Sequence, residues 1–235
     1  MFQGRFRCSV SKICHFSKDV VLFAVFFYVR YGVSYRDLEE IMEERGVNVD
    51  HATLNRWVVR YSPAIAAKAK ARKRPVCSSW RMDETYVKVR DKWVYLYRAV
   101  DKHGDTVDFM LCETRDEAAA TAFFNKSFGN NGLPEKVVID KSGANLAGLT
   151  NINIALLVLG FWWSFIDILQ VKYLNNIVEQ DHRFIKKLAR PMMGFKAFHS
   201  ASATLDGIET AHMISKGQLN QTGVPAYRQF MELAG

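Results

Sequence analysis

Two aspartates occupy positions in which a carboxylate could bind a metal ion. Asp83 lies in a segment of alternating residues and shares a strand face with Thr85 and Val87, where an ionised carboxylate needs a partner or a metal. Asp140 ends the short apolar run 136–140, and acids at the carboxyl ends of strands commonly face the ligand crevice of an α/β sheet. Each acid has a second explanation, since Asp also serves as a turn residue.

Glu179 has two explanations that the local pattern leaves open. With Asn176 it forms a capping-box pattern, in which the glutamate bonds back to a backbone amide. Arg183 and Lys186 follow it by four and seven residues, so one helix face would carry an acid and then two cations. That face could hold a metal ion and a phosphate together, or it could be a solvated, salt-bridged surface.

Two aspartates and a glutamate suit Mg²⁺ or Mn²⁺, which take oxygen ligands and keep waters that a substrate phosphate can replace. Two such ions about 4 Å apart can activate an attacking oxygen and stabilise the leaving one in a phosphodiester displacement. If the three acids converge, the chemistry they predict is metal-dependent attack on a phosphodiester.

The segments around these acids predict an α/β domain with a mixed sheet. Alternating β-branched and aromatic residues predict successive antiparallel strands over 80–90, 93–101 and 106–113. A capping-box pattern at Thr114 and Glu117, with Gly129 as a stop, predicts a helix over 116–128. We expect further strands at 136–140 and near 163–169, a weakly defined helical stretch between them, and helices over 176–189 and 201–216.

The stretch 152–169 is almost continuously apolar and is the one serious candidate for a membrane segment. Asp167 interrupts it, and a lone Asp in lipid is costly. A buried helix followed by a buried strand is therefore the preferred interpretation, with these aromatic side chains in the core: Phe161, Trp162, Trp163 and Phe165. We expect no signal peptide, and the four cysteines predict neither a zinc site nor a disulfide framework.

The positive charge of the chain is concentrated in its first third. The formal net charge is +8, with 15 Lys and Arg against 7 Asp and Glu up to Arg81, and 17 against 17 beyond it. Such an excess points to a polyanionic partner such as nucleic acid. Three helical segments over 20–31, 35–45 and 51–61 coincide with it, the second opened by Ser34 and Asp37, and they fit a helix-turn-helix pattern.

The third of these segments offers polar side chains for DNA. We expect Leu54, Trp57 and Val58 to face inward, which leaves Asn55, Arg56 and Arg60 for base edges and phosphates. A basic connector follows and would add salt-sensitive phosphate contacts through Lys68, Lys70, Arg72, Lys73 and Arg74. Units of this pattern can also merely pack against something else.

Three motifs resemble those of bacterial insertion-sequence transposases of family six: Trp80-Arg-Met-Asp-Glu-Thr-Tyr86, Val138-Ile-Asp-Lys-Ser-Gly-Ala-Asn145 and Lys172-Tyr-Leu-Asn-Asn-Ile-Val-Glu-Gln-Asp-His-Arg183. The similarity covers nearly the whole chain. One departure is the distance from Asp140 to Glu179, with 38 residues between them where the family usually has about 34. The extra length lies in the apolar region 146–169.

The resemblance implies an RNase H-like catalytic domain and Asp83, Asp140 and Glu179 as metal-binding catalytic acids, with two Mg²⁺ or Mn²⁺ ions. It implies Lys186 as a basic residue near DNA, and the face it shares with Arg183 suggests a further phosphate contact. The implied reaction is cleavage at terminal inverted repeats and transfer of the 3′-hydroxyl to target DNA, giving replicative cointegrates. The implied partners are double-stranded DNA and a second copy of the chain, in a bacterial cytoplasm.

These expectations divide the chain into a helix-turn-helix domain at 1–62, a basic linker at 63–76, a catalytic domain at 77–217 and a tail at 218–235. Two other functions remain open. A regulator or decayed transposase would bind repeat ends without cutting them, and a peripheral protein would use 152–169 in a membrane. His182 lies near the site in sequence, but we expect it on a helix surface.

Overall fold

A computed structural model describes residues 16–171, 175–192, 194–221 and 223–235. The elements in chain order are α1 (Lys18–Arg30), α2 (Tyr35–Glu44), α3 (His51–Arg72), β1 (Ser79–Val89), β2 (Lys92–Asp101), β3 (Thr106–Cys112), α4 (Glu117–Asn131), β4 (Lys136–Ile139), α5 (Gly143–Val158), β5 (Asp167–Gln170), α6 (Asn176–Ala189), α7 (Phe198–Ser215) and α8 (Ala226–Leu233). They form two compact units, one of residues up to Lys73 with Lys187–Gly235 and one of Arg74–Lys186. The functional domain division expected from the sequence stays a prediction.

The first unit is helical. Helix α2 begins as predicted, because Ser34 and Asp37 form a capping box in which each side chain accepts from the other's backbone N–H. Helix α3 continues beyond Tyr61 to Arg72, so the predicted end of the third helix at Tyr61 is wrong and residues 63–72 are helical. The reason is an apolar face formed by Ile65, Ala66 and Ala69, which is buried where α3 packs against α7.

The second unit contains a five-stranded sheet in the order β3-β2-β1-β4-β5. Strands β1, β2 and β3 pair antiparallel, and β4 and β5 continue the sheet in parallel with β1. This confirms the predicted α/β class with a mixed sheet. The three antiparallel strands lie within one residue of their predicted bounds, since alternation and short turns specify them locally.

Helices α4 and α5 cover one face of this sheet. Trp80 and Met82 on β1 and Tyr97 on β2 pack with Phe123 of α4 and Leu149 of α5 in a common core. Neighbouring residues of a strand point to opposite faces, so Asp83 is directed away from this core and towards the face on which α6 lies.

The bounds of α4 differ from the prediction at both ends. The cap is Asp116, whose side chain accepts from the backbone N–H of Ala119, rather than Thr114. The helix continues through Gly129 to Asn131 and ends at Gly132, which has a positive φ of 80°. Gly132 stops the helix because its left-handed conformation is open to glycine at little cost.

The apolar region 152–169 forms the end of a helix and a strand as expected, but most of its side chains are not buried. Helix α5 ends at Val158, a 3₁₀ turn covers Trp162–Ser164, and β5 begins at Asp167. The aromatic side chains expected in the core are exposed, by 45% at Phe161, 70% at Trp162, 65% at Trp163 and 52% at Phe165. Among the described residues, no helix is both long and apolar enough to cross a membrane.

Candidate active site

The pairing of β1 with β4 brings Asp83 and Asp140 together. Ser79, Trp80 and Arg81 pair with Lys136, Val137 and Val138, and the same register continued two residues further sets Asp83 beside Asp140. The structure agrees, because one carboxylate oxygen of each lies in a group with Glu84 whose atoms are all within 4.8 Å of one another. Two acids that are 57 positions apart in sequence thus converge, one within β1 and the other directly after β4.

Glu84 belongs to this group although the sequence pattern predicts no role for it. Its side chain is 2% exposed and accepts from Arg115 Nε at 2.9 Å and from Asn145 Nδ2 at 3.1 Å. Burial raises the pKa of its carboxyl above the ordinary value, and the bonds from Arg115 and Asn145 partly offset that rise. Glu84 is therefore a buried acid held by partners from two other elements.

Arg115 also approaches the second aspartate. Its Nη2 lies 3.7 Å from Asp140 Oδ2, while its Nε binds Glu84. Asp140 Oδ1 accepts from the backbone N–H of Ser142 at 3.0 Å. A single guanidinium thus lies between two carboxylates, one buried and one about one-third exposed.

On the opposite sheet face, α6 contacts the first aspartate. His182 Nε2 lies 3.5 Å from Asp83 Oδ2, and His182 is 5% exposed. Arg98, which pairs with Asp83 across β1 and β2, is buried and forms an ion pair of 3.1 Å with Asp181. The expected surface position of His182 is wrong, since this side chain packs against the sheet beside Asp83.

Glu179 is half-buried in the first turn of α6, and Arg183 and Lys186 are exposed further along that helix. Because α6 begins at Asn176, Glu179 is the fourth helical residue, and the capping box would need it to be the third. Glu179 precedes His182 by one helical turn, on the side from which His182 reaches Asp83. Among the described residues, the group of converging carboxylates is Asp83, Glu84 and Asp140, without Glu179.

The donor set suits a hard divalent cation. Asp83 and Asp140 present oxygen ligands with side chains 20% and 35% exposed, so waters and a phosphate can reach the same ion. Carboxylate oxygens without sulfur ligands favour Mg²⁺ or Mn²⁺ over zinc. The residues therefore fit the predicted metal.

The expected DNA contacts lie on α3 and just after it. Arg56 and Arg60 are exposed and Asn55 is half-buried. Lys68 and Arg72 are exposed on the last turns of α3, with Lys70 and Lys73 half-buried beside them. Arg74 forms an ion pair of 2.9 Å with Asp105, so that side chain already has an acidic partner.

Three residues of this site were not predicted from the sequence: Glu84, Arg115 and Asn145. Glu84 follows Asp83 directly, and alternation predicts that neighbouring strand residues point to opposite faces. One feature of the sequence indicated a role for Glu84. It shares the alternation of the core-facing residues of β1, and an acid buried there needs a cation or a metal as its partner. Nothing local identified that cation, because Arg115 lies 31 residues away along the chain.

The chain is similar to known proteins over the region that contains this site. A family model described as a DDE domain, of the IS240 transposase type, matches residues 77–218. The transposase for the insertion sequence-like element IS431mec of Staphylococcus aureus strain Mu50 is 40% identical over 201 residues, which is 86% of each chain. The transposase for IS257 in transposon Tn4003 of Staphylococcus aureus is 39% identical over the same shares.

Solved structures show more distant likeness. The catalytic core domain of HTLV-2 integrase in complex with magnesium is 15% identical and has a TM-score of 0.40, covering 68% of this chain and 85% of that one. A simian T-cell lymphotropic virus intasome gives 14% identity and a TM-score of 0.48, covering 66% of this chain and 58% of that one.

Proposed function

Because this chain belongs to the DDE transposase family, we propose that it cuts DNA at the terminal inverted repeats of an insertion sequence and joins the freed 3′-hydroxyl to target DNA. The observation that carries the proposal is the convergence of Asp83, within β1, and Asp140, directly after β4. Replicative cointegrates are the proposed product, since the chemistry frees one 3′ end on each strand and joins it elsewhere.

Asp83 and Asp140 would hold divalent metal, with Glu179 as the third acid and two ions as the proposed number. Bound metal would supply an activated attacking oxygen and a stabilised leaving oxygen in each in-line displacement. In cleavage, water attacks the phosphorus and the bond to the 3′ oxygen breaks. In strand transfer, the 3′-hydroxyl oxygen attacks a target phosphorus and loses its proton, while the bond from that phosphorus to the target 3′ oxygen breaks. That oxygen takes up a proton and leaves as a 3′-hydroxyl.

The remaining site residues would position DNA around this reaction. Arg183 and Lys186 follow Glu179 by one and two turns of α6, where cations could bind the phosphates that flank the scissile bond. Asn55, Arg56 and Arg60 on α3 are proposed to contact the repeat ends. Phosphates further along the duplex would be bound by Lys68, Lys70, Arg72, Lys73 and Arg74.

We propose a homodimer as the acting form, because an insertion sequence has two ends that must be processed together. The proposed setting is the bacterial cytoplasm, where the DNA substrates lie. The second candidate function is repeat-end binding without catalysis, and one observation favours it: Glu179 is outside the converging carboxylates among the described residues.

A cleavage assay separates the two functions. The full chain would be incubated with Mg²⁺ or Mn²⁺ and terminal-repeat DNA taken from either side of its own gene. We expect metal-dependent strand cleavage that Asp83→Ala and Asp140→Ala abolish, while Asp91→Ala, which replaces a highly exposed acid on the β1–β2 turn, retains it. Specific repeat binding by well-folded wild-type protein without any metal-dependent product would instead establish the binding function.

A further inference from the structure

The most exposed apolar surface of the described chain lies at the end of α5 and in the 3₁₀ turn that follows. We name it the α5 surface and define it by Ile154, Leu157, Val158, Leu159, Phe161, Trp162, Trp163 and Phe165, whose exposed fractions run from 45% to 82%. The residues adjoin one another, since the Trp163 ring lies 5.7 Å from both Phe161 and Trp162. Ile154, Leu157 and Val158 share one helix face.

The area of the α5 surface exceeds what a soluble monomer usually leaves open. Four half-exposed aromatic side chains and four aliphatic ones offer together roughly 700 Å² of apolar area. The largest apolar patch on a typical monomer is about 300–600 Å², whereas one side of a stable protein interface needs about 800 Å². The α5 surface is therefore of the size that a protein partner covers.

The charge around the α5 surface indicates which kind of partner it can bind. Residues 152–166 contain no charged side chain, and the exposed acids Glu135 and Asp167 lie at one edge. An acidic edge disfavours DNA and anionic lipid, both of which attract basic borders. The uncharged centre of the α5 surface is typical of a protein–protein contact, whose core is depleted of charged residues.

The α5 surface carries both an exposed aromatic side chain and a cavity. Trp162 projects from it with 70% exposure, and beside it lies a cavity of about 390 Å³ lined by Leu133, Trp163 and Phe165 among others. A twofold dimer requires a surface that carries both a projection and its receptor, because each copy uses the same patch. Aromatic side chains in such pockets provide most of the energy of many interfaces.

We propose that the α5 surface is the contact between two copies of this chain, with Trp162 of each copy seated in the Leu133 cavity of the other. The inference rests on the homodimer of the proposed function and assigns its interface. Its test uses no DNA and no metal, so a failed interface and a failed catalytic function give different results.

Analytical ultracentrifugation of the full chain over a range of concentrations measures the dimer dissociation constant. We expect a wild-type dimer, and at least a tenfold higher dissociation constant for both Trp162→Ala and Leu133→Glu. The double variant should lose less than the two single losses combined, because both changes remove one shared contact. Trp93→Ala is the matched control, since Trp93 is 63% exposed in the same unit but outside the α5 surface.

Circular dichroism of each variant verifies that these exposed positions leave the fold intact. A wild-type chain that stays monomeric at every concentration would overturn the proposal, as would equal effects of Trp93→Ala and Trp162→Ala. A monomer that floats with phosphatidylcholine vesicles would show the α5 surface to be a lipid-binding face instead.

Discussion

The buried imidazole of His182 lies 3.5 Å from Asp83, on the side of the carboxylate opposite the Glu84 network. Partners of metal-binding carboxylates fix ligand orientation, and their loss typically costs about 10–100-fold in metal affinity. We therefore expect His182→Ala to weaken Mn²⁺ binding by at least tenfold in isothermal titration calorimetry. His199→Ala, at an exposed position near the start of α7, should leave the affinity unchanged. Equal affinities for wild type and His182→Ala would contradict a positioning role.

The pair of Arg115 and Glu84 lends itself to a stability measurement. Removing Arg115 leaves a carboxylate of 2% exposure with Asn145 as its described partner, and an uncompensated buried charge is strongly destabilising. Because Arg115 is itself about one-third exposed, we expect Arg115→Ala to lower the free energy of unfolding by about 2 kcal/mol, less than for a fully buried pair.

The compensating change at Glu84 distinguishes this cause from lost packing. Glu84→Gln in the Arg115→Ala background removes the buried charge and retains a carbonyl oxygen for Asn145 Nδ2, so most of the stability should return. Urea unfolding of the four combinations measures the coupling. A double variant no more stable than Arg115→Ala would show that lost contacts of the Arg115 side chain dominate.

For single residues, the sequence predicts those whose position in the site follows from the local pattern. Asp83 and Asp140 were identifiable because alternation and strand ends are local features, and the structure brings both together. Glu84 and His182 were not, since their contacts with Arg115 and Asp83 join distant elements. The role of Glu179 stays a prediction.

Among the elements, local signals succeeded where a turn or a cap specifies them. Helix α2 starts at the predicted Ser34 cap, and α6 has its predicted bounds. The extension of α3 escaped prediction because its apolar face becomes visible only with α7 as its partner. The prediction that Trp162 lies in the core was wrong. An apolar side chain favours burial, but its hydropathy does not show whether its own domain or a partner would cover it.

The packing of α7 within its unit gives a prediction for a single methyl group. A Cβ added at Gly207 would lie 2.6 Å from Val29 Cγ1 and 2.7 Å from Ser62 Oγ, so α1 and α3 leave no room for it. Gly207→Ala should lower the free energy of unfolding by about 1–3 kcal/mol through overpacking. Gly129→Ala is the matched control within helix α4, where the new Cβ meets nothing within 4 Å.

Thermal unfolding of the two alanine variants compares these outcomes directly. Gly129→Ala should be neutral or stabilising by up to about 1 kcal/mol, because alanine loses less backbone freedom than glycine in a helix. A Gly207→Ala variant as stable as Gly129→Ala would mean that α7 shifts to accept the methyl group at little cost.

Over the whole molecule, the concentration of positive charge in the first third predicts a salt dependence of DNA binding. Each phosphate neutralised by Lys or Arg contributes about 0.9 to the slope of log Kobs against log salt concentration. Removing two such cations with Lys68→Ala and Arg72→Ala should therefore reduce that slope by about 2, with a similar loss of affinity for repeat and unrelated DNA. Lys88→Ala with Lys92→Ala, two exposed cations beside the β1–β2 turn, is the matched control.

The same titration separates charge from base recognition. Arg56→Ala should lower the preference for repeat ends over unrelated DNA, because a contact to a base edge carries sequence information and a phosphate contact does not. It should change the slope by less than Lys68→Ala with Arg72→Ala. Fluorescence anisotropy at several salt concentrations measures both quantities for each variant. Equal slope changes in the α3 and β1–β2 variants would mean that the net charge of the chain, rather than the basic end of α3, determines its affinity for DNA.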